Sequence, residues 1–384
     1  MKPVYYGWGI FIVRRHYVSA IMVAVANLTP AIYAEANDAF WRVATDRYAR
    51  PVLRDRIDVP QGLDPYGYLA AQRGYDGWST RSAGSVTVLF EQSTEGVVPI
   101  LCLHKIGNKS QYELTPERFK SLLTYINTEG WYLIADYQYL NEDLSHVPTG
   151  FKPIVMGSDD ASYGNLIYKT HGDELTGRVK RFFGKPLMKS DSMAAILRKH
   201  AKREGTRINF TFYISFDAIP FRQLDEYENP GFPYSGIPIV KEKFQYLNKY
   251  FLIGIHSLSH IYAHDMGPDA FAQDVSRAWD IIDEYLDGQA GAIQTIAFPY
   301  GIDPLTAQLH QAISSLTHHG RRLVGGFDFD NQFASAPGSM AEPFDVSRYN
   351  VDNENWDQLI AKLDGASAVV ARRELIWETD TKRR

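Results

Sequence analysis

The sequence predicts an α/β protein in which strands and helices alternate along the chain and the strands form a parallel barrel or sheet. Two observations indicate this fold class. From residue 97 onward, short apolar runs alternate with helical stretches. The length of 384 residues, with 45% hydrophobic and 22% charged residues, fits one large globular domain with an N-terminal extension. In such folds the chemistry gathers at the carboxyl ends of the strands.

The apolar runs and their boundaries predict the individual elements. Strands are expected at residues 85–90, 97–104, 131–135, 153–157, 208–215, 251–255 and 293–298. A helix should begin after Thr115, a favourable N-cap residue that precedes Pro116, and end at Gly130. Further helices are expected at residues 137–144 and 269–286.

The first 35 residues resemble an export leader. Arg14 and Arg15 precede an apolar run over residues 18–26, and residues 31–34 resemble a small-residue cleavage site. We therefore expect an exported protein in the periplasm, at the cell surface or outside the cell. An uncleaved membrane anchor and a buried N-terminal helix are the alternatives.

The remaining chain divides into an extension at residues 36–96, to which the sequence assigns no role, and a main domain at residues 97–384. A net charge of -5, with 40 basic residues scattered along the chain, provides no continuous positive surface for nucleic acid. Membrane contact is expected only through an uncleaved leader. Cys102 is the only cysteine and lies in an apolar run, which is typical of a buried hydrophobe rather than a nucleophile.

Two adjacent carboxylates, Asp159 and Asp160, closely follow an apolar run that ends at residue 157. Like charges this close together are unfavourable unless a cation or a shared proton relieves them. The pair therefore indicates a cation site. An acidic turn with both side chains in water would have the same pattern.

Two histidines, His256 and His260, directly follow another apolar run. Four residues apart, they would lie on one face of a helical turn and could bind the same ion through their ring nitrogens. Two imidazoles and one carboxylate leave coordination positions open for water and substrate, as a catalytic metal requires. The alternative is a pair of histidines with a packing role only.

These residues lie within a set of segments that resembles a known family. The set spans roughly residues 97–352 and comprises residues 98–106, 154–160, 210–214, 256–260, 297–301 and 344–349. It resembles the polysaccharide deacetylases of the nodulation-type homology domain, also called carbohydrate esterase family four. Within that family it is most similar to the subgroup that acts on poly-N-acetylglucosamine. The resemblance implies a distorted (β/α)7 barrel that acts on an N-acetylated polysaccharide.

The resemblance also implies roles for the site residues. Asp160, His256 and His260 would bind a divalent metal, with zinc expected first and cobalt, nickel or iron as alternatives. Asp159 would act as the base that removes a proton from water. The backbone N–H of Tyr300 would help to stabilise the oxyanion.

Two further candidates complete the predicted site. The family's late Leu-x-His motif, which provides the usual general acid, has no clear counterpart, so His104 at the end of the first strand is the nearest substitute. Arg348 either orients Asp159 or forms an ordinary salt bridge at a strand end. The other histidines expected at the surface are His264, His318 and His319.

The sequence departs from the family pattern at several positions. Ala161 replaces a usual glycine, Ser158 a usual aromatic residue, and Ala297 an arginine that many members carry. Residues 161–207 form a longer segment than is typical, with a basic stretch at 178–181. The default interpretation of that stretch is a solvated surface excursion.

Three functions are therefore compared. The preferred one is a metal-dependent hydrolase that removes N-acetyl groups from a polymer containing N-acetylglucosamine. A noncatalytic polysaccharide-binding protein is favoured by Ala297 and by the missing acid motif. A non-haem iron oxygenase uses the same set of two histidines and one carboxylate, but the double aspartate disfavours it.

Overall fold

The computed structural model describes residues 93–108, 111–172, 178–204, 208–218, 220–221, 238–288, 293–302 and 305–372, together with the backbone of strands at 51–52, 78–83, 86–91 and 373–377. The predicted leader and most of the 36–96 extension lie outside these residues and stay predictions. Across the described ranges, no helix combines the length and the apolar character needed to span a bilayer.

Seven parallel strands form the centre of the main unit. They are β1 (Ile100–Leu103), β2 (Lys152–Ser158), β3 (Phe210–Ile214), β4 (Leu252–Ile255), β5 (Thr295–Ala297), β6 (Gly325–Phe327) and β7 (Tyr349–Asn350). Their order in the sheet is β6, β5, β4, β3, β2, β1 and β7. Strands β1 to β6 lie side by side in chain order, as the alternation of strands and helices predicts.

The segment at residues 346–350 joins the two edges of this sheet. At its start, Val346 forms a parallel bridge with Phe327 of β6. At its end, Tyr349 pairs with Leu101 and Asn350 with Cys102, both in β1. The sheet therefore curls into a distorted barrel, and the predicted (β/α)7 fold class is confirmed.

Helices accompany the strands along the chain. They are α1 (Pro116–Thr128), α2 (Asp136–Leu140), α3 (Met193–Glu204), α4 (Pro238–Tyr250), α5 (Ala263–Met266), α6 (Pro268–Tyr285), α7 (Ala307–Ser314) and α8 (Trp356–Asp364), with a 3₁₀ turn at Pro337–Ser339. The predicted start of α1 is confirmed, since Thr115 Oγ1 accepts a hydrogen bond from the backbone N–H of Arg118 at 3.2 Å. The apolar residues of α1 recur at helical spacing and are buried, which explains why this face packs on the core.

Short strands complete the main unit. They are Val97–Val98, Lys105–Ile106, Glu113–Leu114, Trp131–Ile134, Thr170–His171, Arg178–Val179, Arg181–Phe182, Lys185–Pro186, Thr317–His318, Arg321–Arg322 and Ala334–Ser335. Trp131–Ile134 extends the large sheet by pairing with the start of β2. The segment at 161–207, predicted to be longer than typical, contains two small antiparallel strand pairs, 170–171 with 178–179 and 181–182 with 185–186.

Several predicted elements are shorter than expected. The helix at 137–144 is limited to Asp136–Leu140, and Glu142 just beyond it has a left-handed φ of 53° that a helix cannot continue through. The strand at 97–104 is divided at Pro99, which has no N–H to donate to a ladder. The strands predicted at 208–215 and 293–298 are reduced to Phe210–Ile214 and Thr295–Ala297.

A second, smaller unit contributes a four-stranded sheet. Its strands lie in the order Pro51–Val52, Arg373–Trp377, Val86–Glu91 and Trp78–Ala83. Arg373–Trp377, near the C-terminus, pairs in parallel with Pro51–Val52. The division of the chain at residues 35 and 96 stays a prediction.

The ring of Tyr213 is accommodated inside the barrel by two glycines on neighbouring strands. A Cβ on Gly254 would lie 2.4 Å from Tyr213 ring carbons, and one on Gly157 would lie 2.8 Å away. The buried Tyr213 hydroxyl donates to Asp136 Oδ2 at 2.6 Å, and Thr295 Oγ1 donates to the same oxygen at 2.7 Å. The glycines therefore provide space for an aromatic ring that is fixed at its polar end.

Gly254→Ala should lower the free energy of unfolding by about 1–3 kcal/mol or more, because the added methyl overlaps a ring that has no room to move. Chemical denaturation monitored by circular dichroism measures the change. Gly365→Ala is the control, since the nearest atom to its added Cβ lies 3.4 Å away and its φ is −86°. Equal effects of the two substitutions would contradict this account of the barrel interior.

Candidate metal centre

The predicted site residues converge at one end of the barrel. Asp159 and Asp160 follow β2, His256 follows β4, and His104 follows β1. Arg348 lies immediately before β7 and enters the same region from the segment that closes the barrel. The parallel arrangement therefore brings together side chains that lie far apart in the sequence.

The three predicted metal ligands lie in contact. Asp160 Oδ1 is 3.3 Å from His256 Nε2 and 3.2 Å from His260 Nε2. Atoms that bind one tetrahedral ion at about 2.1 Å are separated from each other by about 3.4 Å. Asp160 Oδ1 is buried and has no hydrogen-bond partner. The donor set and its spacing therefore fit a divalent metal ion.

The charges of this group respond to one another. Burial raises the pKa of Asp160, but the imidazoles of His256 and His260 outweigh that effect and hold the pKa well below its usual value. Burial lowers the pKa of His260, whereas contact with Asp160 raises it and determines the net direction. A bound metal ion would take the place of the histidine protons that attract the Asp160 carboxylate.

The segment that carries the two histidines is a loop, so the predicted helical turn is wrong. Ser257 and His260 have left-handed φ values of 62° and 52°. Asp274 of α6 holds the loop, because its Oδ2 accepts the backbone N–H groups of Leu258 at 2.7 Å and Ser259 at 3.2 Å. The spacing of four residues still brings both rings to one ion, but a carboxylate from a neighbouring helix fixes the geometry.

A backbone contact at Nδ1 fixes the orientation of the His256 ring. Its Nδ1 lies 2.8 Å from the backbone oxygen of Ala297, so Nδ1 carries the hydrogen and donates it. In the neutral ring, Nε2 then presents its lone pair to Asp160. This arrangement is typical of metal-binding histidines.

Asp159 forms a bidentate ion pair with Arg348. The two guanidinium–carboxylate distances are 2.8 and 2.9 Å, and both residues are about 1% exposed. Burial raises the pKa of Asp159, but the charges of Arg348 and His256 outweigh it and lower the pKa. Arg348 Nε also donates to the backbone oxygen of Asp328 at 2.8 Å. Asp159 is therefore held as a carboxylate in one orientation, 3.8 Å from His256 Nε2.

His104 lies beside this carboxylate. One of its ring nitrogens, an oxygen of Asp159 and the sulfur of Cys102 lie within 4.8 Å of one another. His104 Nδ1 is buried and has no hydrogen-bond partner. Burial lowers the pKa of His104, and Asp160 and Asp159 oppose that shift only in part. Cys102 is buried as expected, with its Sγ 3.4 Å from Asp159 Oδ2.

Tyr300 lies at the rim of the site. Its side chain is 67% exposed, and its ring centroid is 4.8 Å from that of His260. Its φ of 63° belongs to a turn in which the Gly301 N–H donates to the Phe298 oxygen at 3.1 Å. Asp328 Oδ1 accepts the next N–H, that of Ile302, at 2.6 Å.

The departures from the family pattern have local structural explanations. Ala161 has a left-handed φ of 52°, a conformation that glycine adopts at less cost, so alanine is tolerated there at some strain. Ser158 Oγ donates to the His104 backbone oxygen at 2.9 Å and accepts from Asn165 Nδ2 at 2.8 Å. Ser158 therefore links the ends of β1 and β2 beneath the site.

Sequence reasoning missed two supporting carboxylates, Asp274 and Asp328. Asp328 directly follows the apolar strand β6, which is the signal that identified Asp159, and it could have been found in the same way. Asp274 lies within a helix and has no local signal. Of the histidines expected at the surface, His319 is exposed and His264 is half-buried, but His318 is 7% exposed and that prediction is wrong for it.

Several solved structures are similar to this chain. The deacetylase PplD of Streptococcus pyogenes has 14% sequence identity, covers 70% of this chain and 98% of its own, and gives a TM-score of 0.45. A polysaccharide deacetylase from Bacillus cereus has 12% identity, with coverage of 72% and 77% and a TM-score of 0.46. The BpsB deacetylase domain from Bordetella bronchiseptica has 14% identity, with coverage of 67% and 96% and a TM-score of 0.39.

In fold the chain resembles polysaccharide deacetylases. No protein-family model matches the chain, and no curated protein sequence matches it. The roles of the individual residues therefore depend on the geometry of this site.

Replacing Arg348 with Met should cost about 3–5 kcal/mol of unfolding free energy, because Asp159 is left as an unpaired buried charge. The deficit should shrink as the pH falls through the lowered pKa of Asp159, since the pair stabilises the fold only while that carboxyl is ionised. Urea denaturation at several pH values measures both effects.

The matched control is Arg181→Met, which breaks an ion pair with Glu242 whose side chains are 43% and 27% exposed. That loss should be about 0–1 kcal/mol. Adding Asp159→Leu to Arg348→Met should recover much of the deficit. If the double variant loses as much unfolding free energy as the two single variants together, the ion pair is not the cause.

Proposed function

We propose that this protein is a metal-dependent hydrolase that removes N-acetyl groups from a polysaccharide containing N-acetylglucosamine. The observation that supports it is the contact of Asp160 with His256 and His260 beside a separate carboxylate, Asp159, which is paired with Arg348. A ligand set with open positions next to an ionised base is the arrangement that amide hydrolysis by water needs.

Asp160, His256 and His260 would hold the ion, with zinc proposed first and cobalt, nickel or iron as alternatives. When bound, a divalent ion supplies Lewis acidity toward an amide carbonyl and toward water. His256 and its Ala297 contact keep one ligand atom aimed at the ion position. The three protein ligands leave room for water and for the acetamide oxygen.

Asp159 is the proposed base. Arg348 keeps it ionised, so it can accept a proton from the attacking water as the carbon–oxygen bond forms. Because Arg348 holds both carboxylate oxygens, the base stays beside the ligand set and does not swing into it. The backbone N–H of Tyr300, whose ring contacts that of His260, is the proposed donor to the oxyanion.

His104 is the proposed general acid. Breaking the carbon–nitrogen bond requires that the leaving amine receive a proton, since an amide anion is a very poor leaving group. His104 would receive the proton that Asp159 takes from water, since the two groups lie within 4.8 Å of each other, and would pass it to the amine from the buried nitrogen that no protein group occupies. Tyr112 and Phe329 contact its ring, with centroids at 4.9 and 5.7 Å, and limit its rotation.

The proposed substrate is a polymer outside the cytoplasm, in agreement with the leader expected at residues 1–35. We propose no nucleic-acid partner, and membrane contact only through an uncleaved leader. The noncatalytic alternative is less well supported, because a buried, Arg348-paired Asp159 beside a metal ligand set has no use in binding alone. The same residue disfavours an iron oxygenase, which needs no such base.

Asp159→Asn should reduce acetate release from N-acetylglucosamine oligomers by about 10²–10⁴-fold, because the amide side chain cannot accept the proton. Metal content measured by mass spectrometry should be unchanged, since Asp159 is not a ligand. Asp357→Asn, an exposed change on α8, is the control and should leave turnover unaltered. An Asp159→Asn protein with full activity would refute the assigned base.

His104→Gln should reduce amide hydrolysis by about 10²–10⁴-fold while sparing an ester such as p-nitrophenyl acetate, whose leaving group needs no proton. The ratio of the two rates separates loss of the acid from general damage. A parallel loss on both substrates, with metal content and melting temperature unchanged, would contradict the role of His104. If the wild-type protein releases no acetate from any oligomer with zinc, cobalt or nickel, the hydrolase proposal itself fails.

A further inference from the structure

A second group of potential metal ligands lies outside the proposed catalytic site. Asp280 and Asp283 lie one turn apart on α6, and His318 and His319 lie in the hairpin formed by Thr317–His318 and Arg321–Arg322. Ligand atoms of Asp283, His318 and His319 lie within 4.8 Å of one another. We call these residues, with Arg321, the His318 cluster.

A contact at Nδ1 orients the ring of His318, as a contact at Nδ1 orients that of His256 in the first site. Its Nδ1 lies 3.2 Å from Asp280 Oδ1, so Nδ1 carries a hydrogen and Nε2 of the neutral ring presents a lone pair. The ring of Trp279 stacks on it, with centroids 5.1 Å apart and planes at 24°. A carboxylate behind a histidine that aims its other nitrogen forward is the usual support of a metal ligand.

The lone pair of His318 Nε2 contacts another electron-rich atom, Asp283 Oδ2. Two such atoms repel unless a cation, either a proton or a metal ion, lies between them. His319 Nε2 lies 3.9 Å from the same oxygen. Asp283 Oδ1 is buried and has no hydrogen-bond partner. One proton on His318 would leave both His319 and Asp283 Oδ1 unsatisfied, whereas a metal ion has several coordination positions.

The charge of the cluster also favours a cation. The cluster contains two carboxylates and one guanidinium, that of Arg321, whose Nη2 lies 2.6 Å from Asp283 Oδ2, whereas Asp280 contacts His318. With neutral imidazoles, the two carboxylates and the guanidinium leave a net charge of −1, and the unpaired carboxylate is Asp280, whose side chain is 64% exposed. Arg321 donates to Oδ2, the oxygen that also contacts His318, whereas Oδ1 of the same carboxylate is buried and has no hydrogen-bond partner.

We propose that Asp283, His318 and His319 form a second divalent-metal site, distinct from the one that Asp160 helps to form. Nitrogen and oxygen ligands together suit zinc, cobalt or nickel. Binding requires the His318–Asp283 contact to widen and the His319–Asp283 gap to close, so that the ligand atoms stand about 3.4 Å apart. The exposed side of His319 leaves positions for water.

Such an ion would tie α6 to the hairpin at residues 317–322. The same helix carries Asp274, which holds the loop of the first site. A metal ion that binds only the folded protein stabilises it by mass action. We therefore assign the second site a structural role, and this proposal does not depend on the proposed function.

The test is the number of metal ions bound per full-length chain. Protein stripped with a chelator is dialysed against zinc or cobalt and analysed by mass spectrometry. The wild type should bind two ions, and a variant with Asp160→Asn and His260→Gln should bind one. Adding His319→Gln to that variant should abolish binding. The His319 side chain is 76% exposed, so its replacement should not disturb folding.

A matched control is His264→Gln, a half-buried histidine outside both sites, which should leave two ions bound. Zinc should also raise the melting temperature of the Asp160→Asn, His260→Gln variant, and His319→Gln should remove that rise. Failure of this variant to bind metal would show that the cluster holds only a proton. Binding that is insensitive to His319→Gln would likewise overturn the proposal.

Discussion

The buried ion pair between Asp159 and Arg348 is the interaction on which the site depends. Two buried charges are stable only when each satisfies the other, and here both guanidinium–carboxylate contacts are short. Arg348 belongs to the segment that joins β6 to β1 and closes the barrel. The carboxylate can therefore stay ionised beside the proposed metal ligands only when the barrel is closed.

The barrel interior below this pair is built around one aromatic ring. Tyr213 occupies the space left by Gly157 and Gly254, and its hydroxyl donates to the buried Asp136. The Arg348 guanidinium lies 5.7 Å from the centre of the same ring, within range of a cation–π interaction. The Tyr213 ring therefore packs against the Arg348 guanidinium and limits its movement.

Carboxylates from neighbouring elements hold the loops above the barrel. Asp274 accepts two backbone N–H groups of the histidine loop, and Asp328 accepts one from the turn after Tyr300. Each of these loops contains a non-glycine residue with left-handed φ, a conformation that persists only where the surroundings stabilise it. A carboxylate that accepts hydrogen bonds from these backbone N–H groups supplies that stabilisation, and in the histidine loop it positions the side chains proposed to bind an ion.

The sequence by itself determined the alternation of strands and helices, and it identified Asp159, Asp160, His256 and His260, because polar residues after apolar runs mark the ends of parallel strands. It also identified Arg348 and left its role open. Only the tertiary structure decided that Arg348 pairs with Asp159, that Asp274 shapes the histidine loop, and that His318 is buried against α6. These contacts join positions between 15 and 189 residues apart. Local periodicity carries no information about such pairs, because they form only when the strands close into a barrel and the helices pack against it.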